Sequence, residues 1–345
     1  MKKKLVIYSV LSLVLLLAVA IVGTSFYMLD YSLGATAGRG DEKGALSAFV
    51  KRNPHLKQWA DSLRDNKALR DTFIIMPNGE RQHAIFVRSS KAEGRTAVVV
   101  HGYTDRCYSM LNIASIYQRT MGYNIILPDL HAHGLSEGDD VQMGWKDRKD
   151  ILHWTSVAER MFRSQGHASQ MVVHGVSMGA ATTMCLSGDA TPAYIRCFVE
   201  DCGYTSVWDE FGWEAKKRFG VPEFPLMYTT SALCKLMYGW SFGEASALKQ
   251  VAKCHKPMLF IHGSKDTFVP TDMVYPLYEA KPQPKQLWIA RGSIHARSYN
   301  DYPEEYSRRV ASFVGKYIRY PQWGNITNIP SPLVASDAFA DDTHH

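Results

Sequence analysis

The most informative stretch of the 345-residue sequence reads MVVHGVSMGAATTMCL, from Met171 to Leu186. Its first residues, 171–174, are predicted to form a strand, since the short apolar run at 170–173 is of the kind found in strands buried on both faces, and residues 180–186 are typical of a helix. Between them lies a G-x-S-x-G motif at residues 175–179. The glycines leave room in a turn that strains the serine backbone. The stretch therefore predicts a strand-turn-helix unit that exposes Ser177 where the helix begins.

Similar apolar runs recur on both sides of this unit, at residues 97–100, 124–127, 196–199, 257–261 and 286–289. Helical stretches with apolar i, i+3, i+4, i+7 spacing alternate with these runs, for example at residues 151–162 and 306–317. This alternation predicts a mostly parallel sheet with helices on both faces. Residues 72–76 and 82–88 flank an Asn-Gly step, which favours a tight hairpin turn, so an antiparallel pair should open the sheet.

Two residues follow later strands in the order that Ser177 requires. A serine hydroxyl becomes a nucleophile when a histidine takes its proton, and a carboxylate orients that histidine. With this motif the chain order is serine, acid, histidine. Asp266 follows the strand at 257–261 and His295 follows the strand at 286–289. We therefore predict a catalytic triad of Ser177, Asp266 and His295, with Asp201 as the alternative acid.

Backbone amides beside the serine are the other predicted catalytic groups. The strand at 97–100 ends in His101-Gly102-Tyr103, where this architecture supplies an amide for the negative oxygen of a tetrahedral intermediate. We predict that the Tyr103 and Met178 N–H groups form this oxyanion hole. The alternative is that His101-Gly102 only makes a tight turn.

The sequence predicts neither a cofactor nor a metal site. His131 and His133 stand two residues apart, but no third ligand accompanies them at a convincing spacing. The six cysteines form no Cys-x-x-Cys pair, so most are predicted to be core residues. Cys197 and Cys202 are left open to disulfide pairing, which is allowed outside the cytosol.

The N-terminus predicts a membrane anchor. Residues 5–29 carry no charge and follow three lysines, and about 20 apolar residues suffice to cross a bilayer as a helix. The lysines should keep the N-terminus in the cytoplasm, which leaves the globular part outside. A signal peptide cleaved near Ala35-Thr36-Ala37, with secretion of the rest, is the alternative.

Composition supports one large folded domain behind this anchor. The chain is 46% hydrophobic and 21% charged, which is ordinary globular usage and excludes a disordered chain or a repeat fibre. The net charge is +6, and no dense basic run lies beyond the N-terminus, so nucleic acid is not an expected partner. We predict an anchor at 1–30, a linker and entry helix at 31–71 with the helix at 46–69, the main domain at 72–320, and an extended tail at 321–345.

Within the main domain, residues 204–255 are too long for a crossover connection between strands. They are rich in aromatic residues and methionine and predict a small helical cap inserted in the domain. In one interpretation these aromatic residues and methionines line an acyl or aromatic pocket. In the other they only form the packed interior of the cap.

Taken as a set, these motifs resemble the α/β-hydrolase superfamily, and within it the bacterial membrane-anchored serine aminopeptidase-like, esterase- or lipase-like branch. The resemblance covers residues 72–318, and its carriers are residues 100–104, 128–138, 175–179, 260–266 and 294–295. It implies an eight-stranded, mostly parallel sheet, a Ser-Asp-His triad and no cofactor. The family often has Arg-Gly where this chain has His131-Ala132, a difference confined to that loop.

The leading functional prediction is a serine hydrolase that cleaves a small-molecule carboxylic ester through an acyl-enzyme, at the outer face of a membrane. Peptidases, amidases and thioesterases share this fold and remain alternatives. A non-catalytic anchored binding protein is a third possibility, and the complete triad argues against it. Oligomeric state leaves no signal in the sequence.

Overall fold

The computed structural model describes residues 2–35 and 44–319. The predicted tail at 321–345, residues 36–43 of the predicted linker, and Thr36 and Ala37 of the predicted cleavage site lie outside these residues.

The described residues contain one eight-stranded sheet. Its strands are β1 (Leu69–Ile75), β2 (Arg81–Val87), β3 (Arg95–Val100), β4 (Asn124–Pro128), β5 (Gln170–Val176), β6 (Ile195–Asp201), β7 (Met258–Gly263) and β8 (Lys285–Ala290). Their order is β1-β2-β4-β3-β5-β6-β7-β8. The β1–β2 and β2–β4 pairs are antiparallel and all other neighbours are parallel, which confirms the predicted sheet.

The β1–β2 hairpin turns where the sequence predicts it. Gly79 has a φ of +88°, a conformation that glycine adopts without a steric penalty. The Met76 N–H donates to the Glu80 carbonyl across the turn at 2.8 Å. The Asn78-Gly79 step therefore opens the sheet with an antiparallel pair.

Twelve α-helices accompany the sheet in the described ranges. They are α1 (Lys2–Leu33), α2 (Ala45–Arg52), α3 (Lys57–Asp65), α4 (Leu111–Ser115), α5 (Asp147–Phe162), α6 (Met178–Ser187), α7 (Val207–Phe219), α8 (Leu226–Tyr238), α9 (Ala247–Val251), α10 (Val274–Ala280), α11 (Ser298–Asp301) and α12 (Pro303–Tyr317).

Both faces of the sheet are buried. Alternate residues of β3 belong to different hydrophobic clusters, with Val98 and Val100 on one face and Ala97 and Val99 on the other. Helices α5, α6, α9 and α10 contribute to the first cluster, and α2, α3, α4 and α12 contribute to the second. The apolar runs lack polar alternation because each strand packs against helices on both sides.

The entry segment forms two helices where one was predicted at 46–69. Proline lacks an amide hydrogen and disfavours helical geometry in the residue before it. Asn53, which precedes Pro54, accordingly leaves the helical conformation with φ −130° and ψ 66° and ends α2. Helix α3 ends at Asp65, and Leu69 already belongs to β1.

The insertion between β6 and β7 is helical, as the sequence predicts. It contains α7, α8 and α9. The Ser206 hydroxyl accepts a hydrogen bond from the Asp209 N–H at 3.0 Å and so caps the start of α7. Helix α9 packs against α6, next to the sheet, while α7 and α8 reach a cavity beside Ser177.

Helix α1 has two different parts. Residues 2–20 are exposed, and among the described residues this is the one helix long and apolar enough to cross a membrane. Further along, Ser25, Leu29 and Leu33 are buried and α1 packs against α8. The helix continues to Leu33, so the first residues of the predicted linker are helical and belong to the packed structure.

Candidate active site

Ser177 lies in a strained turn between β5 and α6. Its φ is +59° and its ψ is −122°, outside the regions that residues with a Cβ normally occupy. The flanking glycines are needed for space, because a Cβ at Gly175 would lie 2.0 Å from the Gly179 carbonyl oxygen and a Cβ at Gly179 would lie 2.2 Å from the Val100 carbonyl oxygen. The Ser177 N–H donates to the Asp201 carbonyl at 2.8 Å and joins the turn to β6.

The structure brings Ser177, His295 and Asp266 together. The Ser177 Oγ lies 2.8 Å from His295 Nε2, and His295 Nδ1 lies 2.7 Å from Asp266 Oδ2. Ser177 follows β5, Asp266 follows β7 and His295 follows β8. The carboxyl ends of these strands share one edge of the parallel sheet. This arrangement can move a proton from the serine to the histidine while the carboxylate holds the ring.

Asp266 is held as a buried carboxylate. Its Oδ1 accepts the Phe268 and Val269 N–H groups at 3.0 and 3.1 Å, and His262 Nε2 lies 3.4 Å from Oδ2. Burial alone would raise the pKa of Asp266, but hydrogen bonds from His262 and His295 outweigh it and hold the pKa below its usual value. Asp266 is therefore ionised at neutral pH and can pair with a protonated His295.

Asp201, the alternative acid, has other partners. It ends β6, and its Oδ1 accepts a hydrogen bond from the Ser298 hydroxyl at 3.3 Å. Burial raises the pKa of Asp201 to about 6. The contact to His295 Nδ1 is made by Asp266 instead.

Both predicted oxyanion residues stand beside Ser177. Met178 is the first residue of α6, where helix amides have no partner within the helix. The backbone of Gly102 lies against the serine, since a Cβ there would be 3.2 Å from the Ser177 Cβ. This contact brings the following residue, Tyr103, to the same cavity that Ser177 and Met178 line. Two backbone amides on either side of a nucleophile suit a developing oxyanion.

A mostly apolar cavity of about 340 Å³ opens beside Ser177, near the small end of the range of about 300–1,000 Å³ for ligand pockets. Four phenylalanines and four methionines line it: Phe211, Phe219, Phe242, Phe268, Met28, Met143, Met178 and Met227. Two of these phenylalanines belong to α7 and one methionine to α8, so the cap contributes to a pocket as well as to packing. Methionine side chains adapt to irregular apolar ligands.

One acidic group inside this cavity lacks a partner. Glu210 of α7 is 4% exposed, and among the described residues nothing hydrogen-bonds to its Oε2. Burial, followed by the nearby Glu214 carboxylate, raises the pKa of Glu210 well above its usual value. Glu214 also lines the cavity but pairs with Arg218. The neutral Glu210 carboxyl can thus meet a polar group of a bound substrate.

Of the two histidines considered as metal ligands, His133 makes hydrogen bonds within the protein and His131 lies against a carboxylate. His133 Nε2 accepts the Thr104 N–H at 3.2 Å, and His133 Nδ1 lies 2.8 Å from the His131 carbonyl. Burial lowers the pKa of His133 to about 3. His131 Nδ1 lies 3.0 Å from a Glu80 carboxylate oxygen. These contacts hold the loop after β4 in place.

In two other groups of residues, the atoms that could bind a metal ion lie within 4.8 Å of one another. One is His83, Cys107 and Asp129, and the other is Cys202 with Asp266 and His295. Asp129 already contacts His83 Nδ1 at 2.7 Å and accepts the Cys107 N–H at 2.7 Å, so its carboxylate connects loops to the sheet. All six cysteines are buried, and Cys197 and Cys202 form no disulfide.

Sequence reasoning missed three contributors to the site. His262 lies near the end of β7, inside the 260–266 motif, but nothing in the motif indicates that it would contact Asp266. Glu210 lies on an ordinary amphipathic helix. The end of α1, with Met28, Tyr31 and Ser32, lines the cavity, and a uniformly apolar segment carries no signal for such a role.

No protein-family model matches the chain. It is similar to the uncharacterized protein YqkD of Bacillus subtilis (strain 168), with 27% identity over 219 residues that cover 64% of this chain and 70% of that protein. The esterase Pf2001 of Pyrococcus furiosus superposes with a TM-score of 0.58 at 21% identity, over 74% of this chain and 95% of the esterase. The α/β hydrolase GrgF of Penicillium sp. sh18 gives 0.54 at 13% identity, over 72% and 98%. The sheet order, the turn at Ser177 and these similarities identify the chain as a protein with the α/β-hydrolase fold.

Proposed function

We propose that the protein is a serine hydrolase that cleaves carboxylic esters. The observation that carries the proposal is the hydrogen-bonded series from Ser177 Oγ through His295 to Asp266, at 2.8 and 2.7 Å, on the wall of an apolar cavity. Neither folding nor packing requires these three residue types to meet at one edge of the sheet. The strained Ser177 backbone supports the same conclusion, because strain of this kind clusters at active sites.

The geometry supports a two-step acyl transfer. His295 Nε2 takes the proton of Ser177 Oγ while that oxygen attacks the acyl carbon, and Asp266 stabilises the resulting imidazolium. The Tyr103 and Met178 N–H groups receive the negative oxygen of the tetrahedral intermediate. His295 then returns the proton to the leaving alcohol, and an acyl-serine remains. Water, deprotonated by His295, attacks this acyl group and regenerates Ser177.

We place this reaction at the outer face of a membrane. Helix α1 is long and apolar enough to span a bilayer, and the lysines at its start favour a cytoplasmic N-terminus. With α1 as the one candidate span among the described residues, this orientation would put the sheet on the other side of the membrane. The packing of Leu29 and Leu33 into the core favours an uncleaved anchor.

The test uses the full chain in detergent with a fluorophosphonate probe. We expect one labelled peptide that contains Ser177, together with turnover of p-nitrophenyl butyrate. Ser177→Ala should abolish labelling and lower kcat by at least about 10³-fold. Ser47→Ala is the matched control, because that serine is exposed on α2 outside the triad and should leave labelling intact. Absence of labelling in a folded wild-type sample would instead favour a non-catalytic binding protein.

Glu210 supports a second candidate function, the cleavage of amides in substrates with a free amino group. A buried carboxyl with an unpartnered oxygen in the cavity can ionise against an ammonium group and pair with it. No acidic group for this purpose could be assigned from the sequence. If this candidate is right, leucine p-nitroanilide should be cleaved at least about tenfold faster than its N-acetylated form, since one buried ion pair is worth more than 1.4 kcal/mol. Equal rates, or no amide turnover, would leave the ester function as the proposal.

A further inference from the structure

We propose that the last turns of the membrane anchor form one wall of the acyl-binding pocket, and that the substrates are esters with a long apolar acyl group. The inference rests on the proposed ester hydrolase function and adds the class of acyl group and a specificity residue, Met28. It concerns the cavity beside Ser177, which is lined jointly by α1, the loop after β3 and the cap.

Direct contacts fix the anchor to this site. The Tyr103 hydroxyl donates to the Ser32 carbonyl at 2.9 Å, and Tyr103 is the residue whose backbone amide is a proposed oxyanion donor. The Val141 N–H donates to the Leu33 carbonyl at 2.8 Å, which ties the end of α1 to the loop before α5. A segment that only tethered the domain to a membrane would not need hydrogen bonds to the residues around the nucleophile.

The burial pattern of α1 shows where the tether ends and the wall begins. Residues 2–20 are all exposed, whereas Ser25, Leu29 and Leu33 are buried at a spacing of four residues, on one face of the helix. Leu29 and Leu33 belong to the same hydrophobic cluster as α6 and the cap. Met28 and Ser32 lie on the adjoining stripe and line the cavity.

Bilayer dimensions place this wall at the membrane surface. About 20 helical residues cross the apolar core of a bilayer, and counted from Leu5 that length ends near Thr24, just before the first buried residue of α1. At 1.5 Å per residue, Ser32 then lies about 12 Å beyond the apolar core. The cavity is therefore close to the compartment in which long-chain esters dissolve.

The outer rim of the cavity carries exposed aromatic side chains beside the Arg218–Glu214 ion pair. Tyr31 of α1 and Phe219 of α7 both line it and are 56% and 54% exposed. Exposed apolar side chains around a mouth are costly in water and are stabilised beside lipid. A long acyl chain would cover this surface, whereas an acetyl group would leave it exposed.

Acyl-chain selectivity of the full chain in detergent tests the proposal. The probes are p-nitrophenyl acetate and p-nitrophenyl decanoate, and the measured quantity is the ratio of their kcat/KM values. Met28→Trp adds volume to the wall and should lower the decanoate-to-acetate ratio by at least tenfold. Met28→Leu nearly conserves the volume and should keep the ratio within about threefold of wild type. Tyr27→Trp is the matched control, because Tyr27 is 65% exposed on the same helix and does not line the cavity.

The outcomes separate this inference from the function on which it rests. If wild type turns over neither ester and no serine is labelled by a fluorophosphonate, the ester hydrolase function is wrong. If wild type is active and Met28→Trp changes the ratio no more than Tyr27→Trp does, the anchor is not a wall of the acyl pocket. A wild type that prefers acetate to decanoate would contradict the proposed substrate class. Thermal melting of each variant shows whether it is folded.

Discussion

At the scale of single residues, two carboxylates end neighbouring strands and only one of them orients the histidine. Asp266 contacts His295 Nδ1 at 2.7 Å and has a lowered pKa, whereas Asp201 bonds to Ser298 and has a pKa raised to about 6. A carboxylate that stays ionised stabilises the imidazolium formed during the reaction. Asp201 makes no hydrogen bond to His295 among those of the described residues, so Asp266 is the carboxylate that orients the ring.

We therefore expect Asp266→Asn to lower kcat by about 10³- to 10⁴-fold, because an amide in this place favours the wrong tautomer of His295. Asp201→Asn should lower kcat less than about tenfold while reducing thermal stability, since it weakens a buried hydrogen bond. Steady-state hydrolysis of p-nitrophenyl butyrate and melting by circular dichroism measure the two effects. The assignment fails if Asp201→Asn has the larger effect on kcat.

The sequence predicts the three triad residues of this site but not the residues that contact them or line the cavity. Ser177, Asp266 and His295 were predicted because each follows a strand and because the chain order of such triads is fixed. The choice between Asp266 and Asp201 depends on where two loops fold, and no local pattern reports that. Glu210 was missed because a buried acid on a helix looks like any polar residue until the cap is folded over the cavity.

At the scale of secondary structure elements, α1 is the helix whose packing differs most from the role predicted from its sequence. Hydrophobic periodicity reveals a packed face only when polar residues mark the opposite face. Residues 5–29 are uniformly uncharged, so nothing distinguishes the buried positions Ser25 and Leu29 from the exposed ones. The break at Pro54 is the opposite case, because proline chemistry alone explains why the predicted entry helix divides in two.

This packing predicts that α1 stays bound after the chain is cut. We would place a protease site at residues 36–43, cut the full chain in detergent, and capture it through a tag at the N-terminus. Leu29 and Leu33 are fully buried, and each contributes about 1.5–3 kcal/mol, in addition to the hydrogen bond from Val141 to Leu33. The part of the chain that follows the cut should therefore co-purify with α1.

The matched control for this experiment is Leu33→Asp, which places a charge in the apolar cluster and should release the domain after cutting. Leu16→Asp changes an exposed position of the same helix and should not release it. If the wild-type domain separates from α1 as readily as the Leu33→Asp variant does, the anchor is only a tether.

At the scale of the whole molecule, the sheet was predictable because each of its central strands has a recognisable sequence pattern. Doubly buried strands appear as short apolar runs, and the helices between them force parallel neighbours through right-handed crossovers. The strand order of β4, β3, β5, β6, β7 and β8 then brings the ends of β3, β5, β7 and β8 to one edge. The shape of the cavity was not predictable, since it forms where the cap, the β3 loop and α1 meet.

The orientation of the molecule in the membrane is the remaining whole-molecule prediction, and the buried cysteines make it measurable. All six native cysteines are buried, so a single introduced cysteine on the surface provides the accessible thiol. Asn78 is exposed at the tip of the β1–β2 hairpin. We expect Asn78→Cys to react with a membrane-impermeant maleimide in intact spheroplasts, and Lys3→Cys to react only after lysis, because the lysines hold the N-terminus inside. The reverse labelling pattern would place the proposed hydrolase in the cytoplasm. Its substrates would then be esters at the inner surface of the membrane.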